Sequence, residues 1–206
     1  MRTHPRYVLL IFAVCFLSVG MPLSADTIDQ SFTASGLGPA GIGVGNCCIL
    51  GQSYTAGITG TLTGINVNAG SGGGMIQVEI VALSLSGTPS STVLGATTVQ
   101  ISGGLSQLIT FSTPIQQVAG IMYAILLYGP VSWNGWGGQI DQYTGGMSWI
   151  TFDNGANWNS AANLFPTPFF DFHFQTHVNP VPEPGTLALM ATGLAGLMGV
   201  RRKIVT

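Results

Sequence analysis

The sequence predicts an all-β protein: a single antiparallel β-sandwich, flanked by an N-terminal signal helix and a C-terminal transmembrane helix. Three observations predict it. Between residues 26 and 178, apolar and polar residues alternate with a period of two along many short runs. Those runs recur roughly every 10–15 residues and are separated by Gly, Pro, Asn and Ser turns, the spacing of a sandwich or barrel. No stretch of this body has helical periodicity, whereas each end of the chain carries an uncharged apolar run beside basic residues.

Arg2 and Arg6 form a short basic region, Tyr7 to Met21 an apolar run, and the small residues Ser24 and Ala25 precede Asp26. That is the layout of a secretory signal peptide, so residues 1–25 are assigned to it, with cleavage expected after Ala25. The body, residues 26–178, follows. In "TIDQSFTAS" plain alternation places Ile28 and Phe32 on one face. In "GTLTGINVN" the parity of Leu62 disagrees with that of Ile65 and Val67, and Gly64 between them is a natural bulge. "MIQVEIVAL" turns Ile76, Val78 and Ile80 inward and Gln77 and Glu79 outward. "IMYAILLYG" is apolar on both faces, as a central strand requires. Shorter strands are expected in "LGQSYTAG", "VLGATTVQI", "SQLITFS", "GGQIDQYTG" and "SWITF". The last strand is "FFDFHFQTHV". Phe170, Phe172, Phe174, Thr176 and Val178 face one way, and Asp171, His173, Gln175 and His177 the other, outward to solvent.

Residues 179–184 read as a linker holding Pro182, Glu183 and Pro184, and residues 185–203 as a transmembrane helix with its basic cluster. Gly185 to Val200 is uncharged over 16 residues (200 − 185 + 1). As a helix it measures ~24 Å, against a hydrocarbon core of ~30 Å. Snorkelling of Arg201, Arg202 and Lys203 covers the difference, and the positive-inside rule puts those cations in the cytoplasm.

All five Lys and Arg residues lie at positions 2, 6, 201, 202 and 203. The body therefore carries six carboxylates (Asp26, Asp29, Glu79, Asp141, Asp153 and Asp171) against no cation, a formal −6. Such a surface is repelled by phosphate backbones, which excludes nucleic-acid binding. It also offers no cation to an oxyanion or phosphoryl group. With no nucleophile elbow, zinc-protease motif or phosphate loop present, no enzyme activity, cofactor or catalytic residue is expected.

Three features are candidate sites. "VSWNGWGGQ" sets Trp133 and Trp136 in a Gly-rich stretch, with Tyr143 in the same aromatic cluster, where they can stack on sugar rings while Asn134, Gln139 and Asp141 bond hydroxyls. The better reading is that these indoles plug the end of the sandwich, with the sugar platform as the alternative. "DNGANWN" has oxygen donors at alternating positions but lacks the full calcium-loop spacing, so an Asn- and Gly-rich turn is the better reading, with calcium as the alternative. No metal ligand set is assigned. Cys47 and Cys48 are adjacent, which leaves a strained vicinal disulfide, an intermolecular bridge or two thiols open.

The C-terminal stretch "VPEPGTLALMATGLAGLMGVRRK" resembles the PEP-CTERM sorting signal of Gram-negative bacteria: a Pro-Glu-Pro motif, a short apolar helix and a terminal basic cluster, in that order. Pro182, Glu183 and Pro184 match the motif, and Arg201, Arg202 and Lys203 the cluster. The resemblance implies recognition and cleavage by an exosortase. The protein would be held transiently in the inner membrane and then released to the cell surface or the extracellular matrix. The body is similar to the jelly-roll domains that precede bacterial surface anchors, in Gly51, Gln52, Tyr54 and Thr55, in Gly120 to Ala124, and in "TGGMSWITFDNGANW". Two functions are consistent with these readings: a surface or matrix structural protein, and a surface-anchored module binding exopolysaccharide.

Overall fold

The computed structural model describes residues 26–33, 40–44, 48–68, 73–102, 106–129, 133–140, 143–164, 170–181 and 193–194, with the backbone alone for 40–44, 133–134 and 164. The strands, in chain order, are β1 (Thr27–Phe32), β2 (Ala40–Val44), β3 (Ile49–Thr55), β4 (Gly60–Asn68), β5 (Gly74–Leu83), β6 (Pro89–Ile101) and β7 (Ser106–Gln117). There follow β8 (Met122–Tyr128), β9 (Trp133–Gln139), β10 (Ser148–Thr151), β11 (Asn159–Ser160), β12 (Asp171–Phe172) and β13 (Phe174–Pro180). A 3-10 turn over Ala161–Leu164 follows β11. The two flanking helices expected over residues 1–25 and 185–203 lie outside the described residues, apart from Gly193 and Leu194, which are helical. Among the described residues no helix is long and apolar enough to cross a membrane.

Three antiparallel sheets form: β1-β13-β4-β7, β11-β10-β3-β8-β5-β6, and β12-β9-β2. One core takes side chains from all three, among them Leu62, Ile65 and Val67 of β4, Ile76, Val78 and Ile80 of β5, and Trp136 of β9. The four- and six-stranded sheets meet directly where Tyr54 of β3 approaches Phe174 of β13, with ring centroids 6.0 Å apart. Burial of these interlocked rows is the main source of stability in a body with so few charges.

Several elements follow from local sequence. β8 lies between β3 and β5, and its two apolar faces are both used. Tyr123, Ile125 and Leu127 enter the main core, while Ala124 and Leu126 join Val81 in a second cluster on the sheet's other face. Gln77 and Glu79 alternate with fully buried Ile76, Val78 and Ile80. The bulge at Gly64 is present, since β4 holds one extra residue against β13 between Leu62 and Gly64. A Cβ at Gly64 would stand 2.8 Å from Ile109 O, so only glycine fits there.

Four expectations are corrected. Ile28 and Phe32 do not share a face. β1 holds one extra residue against β13 between Ile28 and Ser31, and that bulge flips the parity, leaving Ile28 49% exposed while Phe32 packs on the core. The strand expected over "GGQIDQYTG" is shifted: β9 spans Trp133–Gln139, and Thr144 and Gly145 form a turn. Asp171 and His173 are not on a solvated face; each is 4% exposed. Alternation holds from Phe174 onward, but β12 leaves the four-stranded sheet to pair with β9, and its second side is covered. The fourth correction concerns Trp136 and Tyr143 as sugar-binding candidates, below.

Candidate functional site

Trp136 is fully buried. Its ring stacks on Phe172 at 4.6 Å with an interplanar angle of 12°, and its Nε1 donates to His173 O at 2.8 Å. Tyr143 is also buried; it meets Phe174 edge-on at 5.2 Å, and its hydroxyl donates to Gln30 Oε1 at 2.7 Å. Neither ring can stack on a sugar, so Trp136 and Tyr143 belong to the core plug and not to a sugar platform. The side chains of Trp133 and Asn134, and Asp141 as a whole, lie outside the described residues.

What Asp171 does is structural. Its Oδ1 accepts from Gln52 Nε2 at 2.9 Å and its Oδ2 from Tyr143 N at 3.0 Å, while Gln52 Oε1 accepts from Phe172 N at 2.8 Å. Gln52, buried in β3, thus ties β3 to β12 through one amide, a geometry in which a buried carboxylate is tolerated. "DNGANWN" is a turn closed on Asp153. Thr151 Oγ1 and Asn157 N donate to Oδ1 at 2.7 and 2.8 Å, and Asn157 Nδ2 donates to Oδ2 at 2.7 Å. These bonds, led by that from Thr151, lower the Asp153 pKa to about 2. Asn154 and Gly155 take positive φ angles of 57° and 90°, which lets the turn fold back. Among the described residues no three His, Cys, Asp or Glu side chains are grouped to hold a metal ion.

The folded-back turn builds a site that sequence reasoning did not identify. It brings Trp158 onto the outer face of the six-stranded sheet, against the cluster of Val81, Ala124 and Leu126. Beside it lies a groove of about 760 Å³ lined by Gln77, Glu79, Thr98, Tyr128 and Trp158, with Cys48 at its edge. Tyr128 Oη donates to Glu79 Oε1 at 2.6 Å and Gln77 Nε2 to the same oxygen at 3.0 Å. Both bonds hold the carboxylate in place, and its Oε2 has no hydrogen bond among the described residues. Burial, and then the bond to Glu79, push the Tyr128 pKa well up, so its hydroxyl stays protonated and donating. A half-buried indole beside an oriented carboxylate and amide can take a hydroxyl-rich, uncharged ligand. The available signal was the outward parity of Gln77 and Glu79. Cys47, the other cysteine of the candidate pair, lies outside the described residues.

The second functional feature is where the chain leaves the body. β13 continues through Asn179 and Pro180, paired with Thr61 and Gly60 of β4, and Val181 N donates to Thr59 O at 3.1 Å. Beyond that bond comes the segment with the Pro-Glu-Pro motif. A family model described as the PEP-CTERM protein-sorting motif matches residues 180–203. The chain carries a PEP-CTERM sorting signal. It implies an exported protein targeted to an exosortase and sorted toward the cell surface or the extracellular space. Pro182, Glu183, Pro184, Arg201, Arg202 and Lys203 all fall inside the matched PEP-CTERM region and outside the described residues. The matched region starts on Pro180, the last paired residue of β13, so the linker expected over residues 179–184 begins inside the sheet and Val181 alone separates β13 from Pro182. No curated protein matches the chain.

Proposed function

We propose that this protein is a structural component of the cell surface or extracellular matrix, cut by an exosortase near Pro182, Glu183 and Pro184 while Gly185 to Val200 holds it in the inner membrane. The observation that carries the reading is the PEP-CTERM signal joined directly to a β-rich body without a single cation. The strand order supports a jelly roll. With β1, β3, β4, β5, β6, β7, β8 and β13 counted as one to eight, the two large sheets run 1-8-3-6 and 2-7-4-5, two interlocked Greek keys. β10 and β11 extend one edge. The reading assigns no catalytic step, cofactor or metal. Glu183→Ala, or Arg201 to Lys203 replaced by Ser, should leave the protein uncut in the inner membrane. Mass spectrometry finding these variants processed and released like wild type overturns the reading.

The groove supports a second function, binding of a neutral exopolysaccharide by the anchored body. Trp158 supplies the ring surface, and Glu79 Oε2 accepts from a sugar hydroxyl. The lack of cations disfavours acidic polymers. A pull-down on neutral and acidic polysaccharides should retain wild type on a neutral one and lose Trp158→Ala and Glu79→Gln. Retention of no polymer by wild type leaves the structural role alone.

A further inference from the structure

Exposed apolar side chains gather at the end of the body from which the PEP-CTERM segment leaves. The β3–β4 link and the β7–β8 turn are laced together there: Ala56 N donates to Ile121 O at 3.0 Å, and Gly120 N to Ala56 O at 2.7 Å. Ala119 N donates to Thr59 Oγ1 at 3.0 Å, and Thr59 O in turn holds Val181 N. The β5–β6 hairpin turn joins the same end, because Thr55 lies opposite Met122 in the sheet and Tyr123 lies opposite Ala82. On this rim Leu85 is fully exposed, Val118, Ile121 and Val181 are about half exposed, and Met122 is 39% exposed. The turns "AGITG", "SLSGT" and "VAGIM" contain no charged residue. The carboxylate that reaches them, Asp29, is occupied by Gly57 N at 2.9 Å and Gln117 Nε2 at 2.7 Å.

Single exposed apolar residues are ordinary; five around one chain exit form a patch with a direction. The length of the connection decides what the patch meets. Val181 is tied to the sheet, and the apolar segment starts at Gly185, four residues on. Four residues span at most ~14 Å, and the headgroup layer on each side of a bilayer is roughly 5–8 Å thick. A body on so short a tether stands against the headgroups with this end toward them. We infer that Leu85, Val118, Ile121, Met122 and Val181 form a lipid-docking rim that seats the body on the bilayer and sets the height of the Pro-Glu-Pro motif above it. The partner is a zwitterionic lipid surface, since a body of formal −6 is repelled by an anionic one. The inference rests on the proposal that Gly185 to Val200 is membrane-embedded.

The test uses the full chain in phosphatidylcholine vesicles, with Cys15, Cys47 and Cys48 replaced by Ser. An environment-sensitive fluorophore is attached through Leu85→Cys, Ile121→Cys, Phe152→Cys or Leu194→Cys. Emission from positions 85 and 121 should shift to the blue on reconstitution. Emission from position 152, exposed at the opposite end of the sheet, should not. A shift at 194 without one at 85 and 121 overturns the docking rim and leaves the embedded segment standing. No shift at 194 overturns the embedding, and the rim with it. Because both rim positions are solvent-exposed, Leu85→Asp with Ile121→Asp should fold normally by circular dichroism and halve the shift of a label at Val118→Cys; an unchanged shift counts against the rim.

Discussion

His173 is the residue where burial and charge are most at odds. It is 4% exposed, its Nε2 has no hydrogen-bond partner among the described residues, and its ring lies 5.7 Å from that of Phe32. Burial pushes its pKa down, so the folded state keeps it neutral. The unfolded chain takes up a proton below pH ~6.5 while the folded state resists it. The unfolded state then binds more protons, and stability falls as the pH drops from ~6.5 toward the folded pKa. Asp153 acts in a lower window. Its folded pKa is depressed, so its contribution is present above the usual carboxylate range and lost as pH falls through about 2. Urea midpoints at pH 7.5 and 5.0 should therefore differ for wild type and converge for His173→Leu. An unchanged difference in that variant assigns the slope to another group.

At the scale of elements, the seam between β4 and β13 joins the body to its sorting signal. A Cβ at Gly60 would lie 2.3 Å from Asn179 O and 2.9 Å from Pro180 Cα, both backbone atoms that cannot rotate away. Gly60→Ala should therefore part the last rungs of the seam and destabilise the body by about 1–3 kcal/mol in chemical denaturation. Gly74→Ala is the control. A Cβ there meets nothing within 4 Å, so it should change stability by less than ~0.5 kcal/mol. Equal effects from the two would show that the seam relaxes freely.

For the whole molecule, the unopposed carboxylates set the response to salt. The one ion pair among the described residues, His177 Nδ1 to Asp26 Oδ2 at 3.2 Å, forms only with a protonated imidazole. Stability rests on the shared core, so ~1 M NaCl should shift the melting temperature little, and upward, by screening carboxylate repulsion. A large fall on adding NaCl would instead reveal an electrostatic attraction, such as a bound cation. Trypsin gives a second check. With no Lys or Arg between Tyr7 and Val200, even the denatured chain should yield no internal fragment of the body.

Sequence by itself determined whatever depends on local period and on order along the chain. That covers the inward row of Ile76, Val78 and Ile80, the two-faced β8, the bulge at Gly64 and the sorting signal over residues 180–203. Alternation reports which side of a strand a residue is on, but not what covers that side. Asp171 and His173 kept the parity of solvated residues and became buried, because Gln52, 119 positions from Asp171, and β9 close over them. Trp136 sits in a Gly-rich stretch that suits a ligand loop, yet its partner Phe172 arrives only through the pairing of β9 with β12. The outer groove needs Trp158 folded back across the sheet, and the apolar rim needs three turns and a chain exit brought to one end. Tertiary structure alone decided these, since each depends on contacts between segments far apart in the chain, which no local pattern encodes.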